Sequence, residues 1–180
     1  MNERITLVSL FNQNDLDKIN NIIKIIDEPL CKVPFGKNVD NRIKADTLPY
    51  HFTLSAWNIN QENFMLKELS AINFNSFKIN VESIEIMNGK ENSHVLYFNI
   101  KASDELKLLQ EKIYKILPSE KYNPNKFQFH ITITIDKDYE KIIRIKKKLE
   151  EIFIPFDLEI NSIALFEIYP ANLIKTINCE

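Results

Sequence analysis

Two short stretches of this chain carry the groups that phosphodiester chemistry needs. His51-Phe52-Thr53 and His130-Ile131-Thr132 each set an imidazole and a hydroxyl two residues apart, and they use two of the three histidines in the chain. Hydrolysis of a phosphodiester needs a base to take a proton from water and an acid to give one to the departing alkoxide. Imidazole is the side chain best poised for both near neutral pH. The non-bridging oxygens need short donors that hold them without adding charge, and a Thr hydroxyl does this. One such pair on each side of a phosphate would suit in-line displacement.

The elements that carry these pairs read as strands. Alternate side chains of a strand face opposite ways. Tyr50, Phe52, Leu54 and Ala56 form an apolar face, which leaves His51, Thr53, Ser55 and Trp57 on the other. Phe127, Phe129, Ile131, Ile133 and Ile135 likewise oppose Gln128, His130, Thr132, Thr134 and Asp136. Along either strand the imidazole and the hydroxyl stand about 7 Å apart.

Around them, strand and helix signals alternate. Strands are expected at Ile5–Phe11, Tyr50–Trp57, Phe77–Met87, His94–Ile100, Phe127–Asp136 and Leu173–Ile177, with a long extended stretch over Phe153–Tyr169. Helices are expected at Asp15–Asp27, Gln61–Ile72, Ser103–Leu117 and Tyr139–Glu151, and a hairpin turn at Asn88–Gly89. The order in the first half repeats in the second. His51 and His130 are 79 residues apart, and the same offset aligns Phe77 with Phe156, Ser83 with Ser162 and Ile84 with Ile163. The chain is therefore read as one domain, 1–180, duplicated internally over about 4–88 and 93–177. Asp15 and Asp104, each near a helix start, are 89 apart, so the connection over 28–49 is about ten residues longer than its counterpart. It leads into the His51 strand and carries Arg42, a candidate phosphate clamp because a guanidinium offers a fork of donors. Trp57 and Tyr169 have faces on which a base could stack, although packing is the simpler use of each.

Two H-x-T strands separated by roughly eighty residues resemble the 2H phosphoesterase superfamily, and within it the bacterial 2′-5′ RNA ligase-like branch, also described as RNA 2′,3′-cyclic phosphodiesterases. The likeness runs over nearly the whole chain through the order of elements, while the two His-Thr tetrads are its specific part. It implies an α+β, bilobal fold with two antiparallel sheets and outer helices around a central cleft. It also implies metal-free catalysis, with His51 and His130 as acid and base and Thr53 and Thr132 as phosphate ligands. The expected activity is hydrolysis of cyclic phosphodiesters of nucleotides or RNA ends, with reverse 2′-5′ joining of RNA as a variant. A phosphate-binding or sensing module without turnover is the alternative on the same fold.

Composition narrows the rest. A net charge of −2 and a pI near 6.0 argue against a long polynucleotide held by non-specific phosphate contacts. A small nucleotide or an RNA end is the expected substrate, bound by a monomer. With only Gly36 and Gly89, no Gly-rich phosphate loop can be built, and no cofactor is expected. One His per strand, no H-E-x-x-H and no flanking carboxylate cluster argue against a metal. Cys31 and Cys179 form no disulfide framework. The apolar run Ile5–Phe11 is too short for a signal peptide or a membrane span, so a cytoplasmic location is expected.

Overall fold

Alternating apolar residues give this chain its strands, and apolar stripes at helical spacing give it its helices. A computed structural model of the chain describes residues 4–30, 49–58, 62–119, 122–168 and 172–180. In chain order the elements are β1 (Arg4–Leu10), α1 (Gln13–Ile23), β2 (His51–Asn58), α2 (Glu62–Leu69), β3 (Phe77–Asn88), β4 (His94–Lys101), α3 (Asp104–Ile116), β5 (His130–Asp136), α4 (Tyr139–Glu150), β6 (Phe156–Ile160), β7 (Ser162–Ile168) and β8 (Asn172–Asn178). Three helices begin on side-chain caps: Asn12 accepts from the Asp15 N–H at 2.9 Å, Ser103 from Leu106 at 3.2 Å and Asp138 from Lys141 at 3.0 Å. Each cap satisfies a donor that the helix itself cannot. Behind the caps, Ile19 and Ile23 of α1, Leu106, Leu109 and Ile113 of α3, and Ile142, Ile145 and Leu149 of α4 enter one core shared with the strands.

The strands form a single sheet, not the two expected. Its order is β6-β3-β4-β5-β2-β1-β7-β8, and every neighbouring pair is antiparallel. The join is one residue pair wide, Phe52 opposite Ile131. It has a physical reason. β1 already occupies one side of β2, and β4 one side of β5, so each His strand has one open edge. Two such edges beside a shared apolar core gain by pairing with one another.

Outward from this join, one side runs β5-β4-β3-β6 and the other β2-β1-β7-β8. The sides do not coincide with the halves of the sequence. β3 belongs to the first half but pairs with β4 and β6 of the second, while β7 returns to pair with β1. The long extended stretch therefore divides at Asn161, where the chain leaves β3 for β1.

Both sides carry the same irregularity. The β1–β2 register slips between Leu7 and Val8, opposite Ser55 and Thr53; the β4–β5 register slips between Leu96 and Tyr97, opposite Thr134 and Thr132. The paired positions on β2 and β5 stand 79 residues apart, and those on β1 and β4 stand 89 apart. Bulges of this kind bend a strand and re-aim the side chains that follow.

Side chains from helices tie the outer strands and loops down. Asp15, buried in α1, accepts from the Glu159 N–H at 2.8 Å, and Lys18 donates to the Asp157 carbonyl at 2.9 Å. The outer edge of β6 is thereby partly covered, which blunts an otherwise open sheet edge. On α4, Lys148 meets Asp27 at 2.9 Å, Arg144 holds Glu28 through two bonds of 3.1 and 2.9 Å, and Lys141 donates to the Pro29 carbonyl at 3.3 Å. The beginning of the 28–49 connection is thus fastened to a helix of the second half.

The β3–β4 turn differs from the expected two-residue hairpin. It spans residues 89–93, with Glu91 and Asn92 at positive φ (54° and 58°). Gly89 is required for closeness: its N–H donates to the Ser93 carbonyl at 2.7 Å, and a Cβ there would collide with Ser93 Oγ. Gly89→Ala should destabilise the protein by about 1–3 kcal/mol through overpacking, measured by urea unfolding. A neutral result would mean that the turn opens without cost.

Candidate active site

The two H-x-T stretches start β2 and β5, and their burial runs in step. His51 and Thr53 are half-buried while Phe52 and Leu54 are buried; His130 and Thr132 are half-buried while Ile131 and Ile133 are buried. The sequence parity is therefore right for the first four residues of each strand. It stops at the bulge. Ser55 and Thr134, expected on the His face, are 3% and 1% exposed, because the register slip turns each of them inward. Trp57 also packs against the core, and its indole N–H donates to the Leu117 carbonyl beyond α3 at 3.1 Å.

The imidazoles are fixed in the same way. His51 Nδ1 lies 2.8 Å from the carbonyl oxygen of Pro49, and His130 Nδ1 lies 2.9 Å from that of Gln128. A carbonyl can only accept, so each Nδ1 carries a proton. Nε2 is then the nitrogen through which each ring gains and loses its second proton. With Phe52 opposite Ile131, the antiparallel register sets position 51 across from 132 and position 53 across from 130. Each histidine position thereby faces the threonine position of the other strand, and in a regular ladder the two histidine positions would lie on a diagonal of about 7–8 Å.

β4 adds groups that the sequence reading missed. Tyr97 pairs with Thr132 and Asn99 with His130, so both share the His face. The Tyr97 ring meets the His130 ring edge-to-face at 5.4 Å, and Phe127 stands 6.2 Å away on a tilt. Gln128 Nε2 donates to the Tyr97 hydroxyl at 3.2 Å and to Asn99 Oδ1 at 3.0 Å. Burial, followed by the charge of Glu85 across the β3–β4 pair, pushes the Tyr97 phenol above its usual range, against the opposing hydrogen bond from Gln128. The phenol stays protonated at working pH. The signal was present as Tyr97, Asn99 and Lys101 alternating with Phe98 and Ile100, but a preceding apolar run obscures it.

His94 lies opposite Asp136 at the far end of β5, six residues or about 20 Å from His130 along the strand. It packs on the Tyr139 ring at 4.8 Å and contributes nothing to this face. Arg42 and Tyr169 lie outside the described residues.

Residues 40–170 match the family described as the 2′-5′ RNA ligase superfamily. The chain belongs to that superfamily. Membership in this group of 2H phosphoesterases implies phosphodiester chemistry. The fold of this superfamily member is similar to that of E. coli LigT complexed with ATP, at 12% identity and a TM-score of 0.58 over 98% of both chains. It is similar also to TT0787 of Thermus thermophilus, at 12% identity and 0.63 over 97% of both chains. The Kluyveromyces marxianus Usb1 structure with uridine monophosphate aligns at 10% identity and 0.54, over 96% of this chain and 97% of that one. No curated protein matches the chain by sequence. Among the described residues, no helix is long and apolar enough to cross a membrane.

Proposed function

We propose that this protein is a metal-independent phosphodiesterase that opens 2′,3′-cyclic phosphodiesters of nucleotides or RNA ends by His/His acid–base catalysis. One histidine takes a proton from water as its oxygen attacks phosphorus; the other gives a proton to the ribose oxygen as the P–O bond to it breaks. Thr53 and Thr132 hold the non-bridging oxygens. With the 5′-hydroxyl of an RNA in place of water, the same proton transfers would join it to a 2′,3′-cyclic end as the P–O bond to one ribose oxygen breaks.

The observation that carries this reading is the matched tethering of His51 and His130, each through Nδ1 to the carbonyl two residues before it, on strands that meet beside both. Matched bulges support the companion proposal, that the two halves are copies within one domain. The size of ligand agrees with solved relatives in the superfamily fold, LigT with ATP or 3′-AMP and Usb1 with uridine monophosphate.

The test is hydrolysis of 2′,3′-cyclic nucleotides and end-cyclised RNA in the presence of a chelator. Turnover should persist and its pH profile should be bell-shaped, because one ring must be neutral while the other is protonated. Activity abolished by chelator and restored by a divalent ion would overturn the mechanism. Tight nucleotide binding with no turnover would point instead to a sensing module.

A further inference from the structure

The two histidines are held by like bonds whose supports differ. Pro49, which bears the carbonyl for His51, has a ring-fixed φ and no side-chain donor. Gln128, which bears the carbonyl for His130, has a side chain that reaches across to β4. The direction of every bond in that second support is determined. Glu82, a carboxylate acceptor, takes the Asn99 Nδ2–H at 3.3 Å, which turns Asn99 Oδ1 towards Gln128. Gln128 must then present its amide nitrogen. That nitrogen has two protons and uses both, one on Asn99 at 3.0 Å and one on the Tyr97 hydroxyl at 3.2 Å. Residue 128 precedes the first residue of β5, so no strand pairing of its own holds it.

We propose that Gln128, held by Tyr97 and Asn99, is a positioning residue for His130. It keeps the 128 carbonyl where it fixes the proton on Nδ1, and so directs Nε2 at the substrate. Tyr97 contributes twice, through its hydroxyl on Gln128 and through its ring against the imidazole. The proposal rests on the reading of His130 as an acid–base group, and deepens it. Groups that orient a working imidazole typically change rate by about 10- to 100-fold when removed.

The experiment compares the parent with Gln128→Met, which keeps side-chain length without donors, and with Tyr97→Phe, which keeps the ring without the hydroxyl. Gln128 is exposed and both changes conserve volume, so the fold should survive. Long-range proton–nitrogen spectra of the imidazoles report which ring nitrogen is protonated, whether or not the protein turns over any substrate. In the parent, the neutral His130 ring should carry its proton on Nδ1. In both variants it should move towards the mixed tautomers of a free imidazole, while His51 is unchanged. On a 2′,3′-cyclic nucleotide, kcat should fall about 10- to 100-fold with KM little altered. His130 signals that stay put in both variants would overturn the proposal, as would moved signals with an unchanged kcat. A parent without phosphodiesterase activity would defeat the reading of function, yet the tautomer comparison would still decide whether Gln128 positions the ring.

Discussion

His51→Ala and His130→Ala should each lower kcat by about 10² to 10⁴, equivalent to roughly 2.7 to 5.5 kcal/mol of barrier, while unfolding at the parent midpoint. Both side chains are only half-buried and lie on the face away from the core, so truncation removes little packing. On the proposed mechanism the two rings act on one reaction, so the double variant should lose far less than the product of the single losses. Thr53→Val and Thr132→Val should do less damage than either His change, since on the proposed reading each deletes one neutral donor to a phosphate oxygen. Steady-state kinetics beside thermal melts would settle the ranking. A His51→Ala enzyme of nearly full rate would remove the first tetrad from the mechanism.

The second large effect concerns the join between the two sides of the sheet. Phe52 is fully buried, makes the one pairing between β2 and β5, and touches the rings of Phe11 and Phe129 at 6.1 and 5.8 Å. Phe52→Ala should cost about 3–5 kcal/mol through lost burial and the cavity left behind. In a chain of this size that lowers the melting temperature by about 6–20 °C. Phe52→Leu, closer in volume, should cost less than about 1.5 kcal/mol. Activity should fall with Phe52→Ala even well below its melting point, because the residues on either side of Phe52 are His51 and Thr53. If Phe52→Ala melted with the parent, or kept full activity in the folded state, the join would not be what sets the spacing of the two tetrads.

Much of this was legible in the sequence because the relevant physics is local. The alternation of Phe129, Ile131 and Ile133 with Gln128, His130 and Thr132 announces a half-buried strand, and the helix stripes and their caps are equally local. The pairing of β2 with β5 is different. It joins two strand edges that sequence periodicity treats alike, and it depends on which edges β1 and β4 leave open. The inward turn of Ser55 and Thr134 depends on bulges, which alternation cannot reveal, since the slip lies in the register with a partner strand. Tyr97 and Asn99 were hidden for the same reason: they join the site by standing across from Thr132 and His130. The two-residue turn failed at Gly89, where a glycine that reads as a turn former serves a close backbone approach instead.

The crossing of β3 and β7 between the halves bears on how the chain reaches its folded state. During synthesis β1 and β2 emerge early, yet Leu10 finds Ser162, and Arg4 finds Ile168, only after nearly all of the chain has been made. The side of the sheet that carries His51 therefore waits, with one flank of β1 unpaired, for β7. β3 can zip onto β4 at once as a hairpin, but its other edge waits for β6. Pairings this distant in sequence slow folding and leave apolar edges uncovered in the meantime. A fragment ending after β5 would contain both His-Thr pairs and still lack β7 and β6, the second neighbours of β1 and β3, so neither half is a self-sufficient folding unit. The price of interlocking is late assembly, and its return is that the two halves of the sequence cannot be pulled apart without unpicking strands on both sides of the sheet.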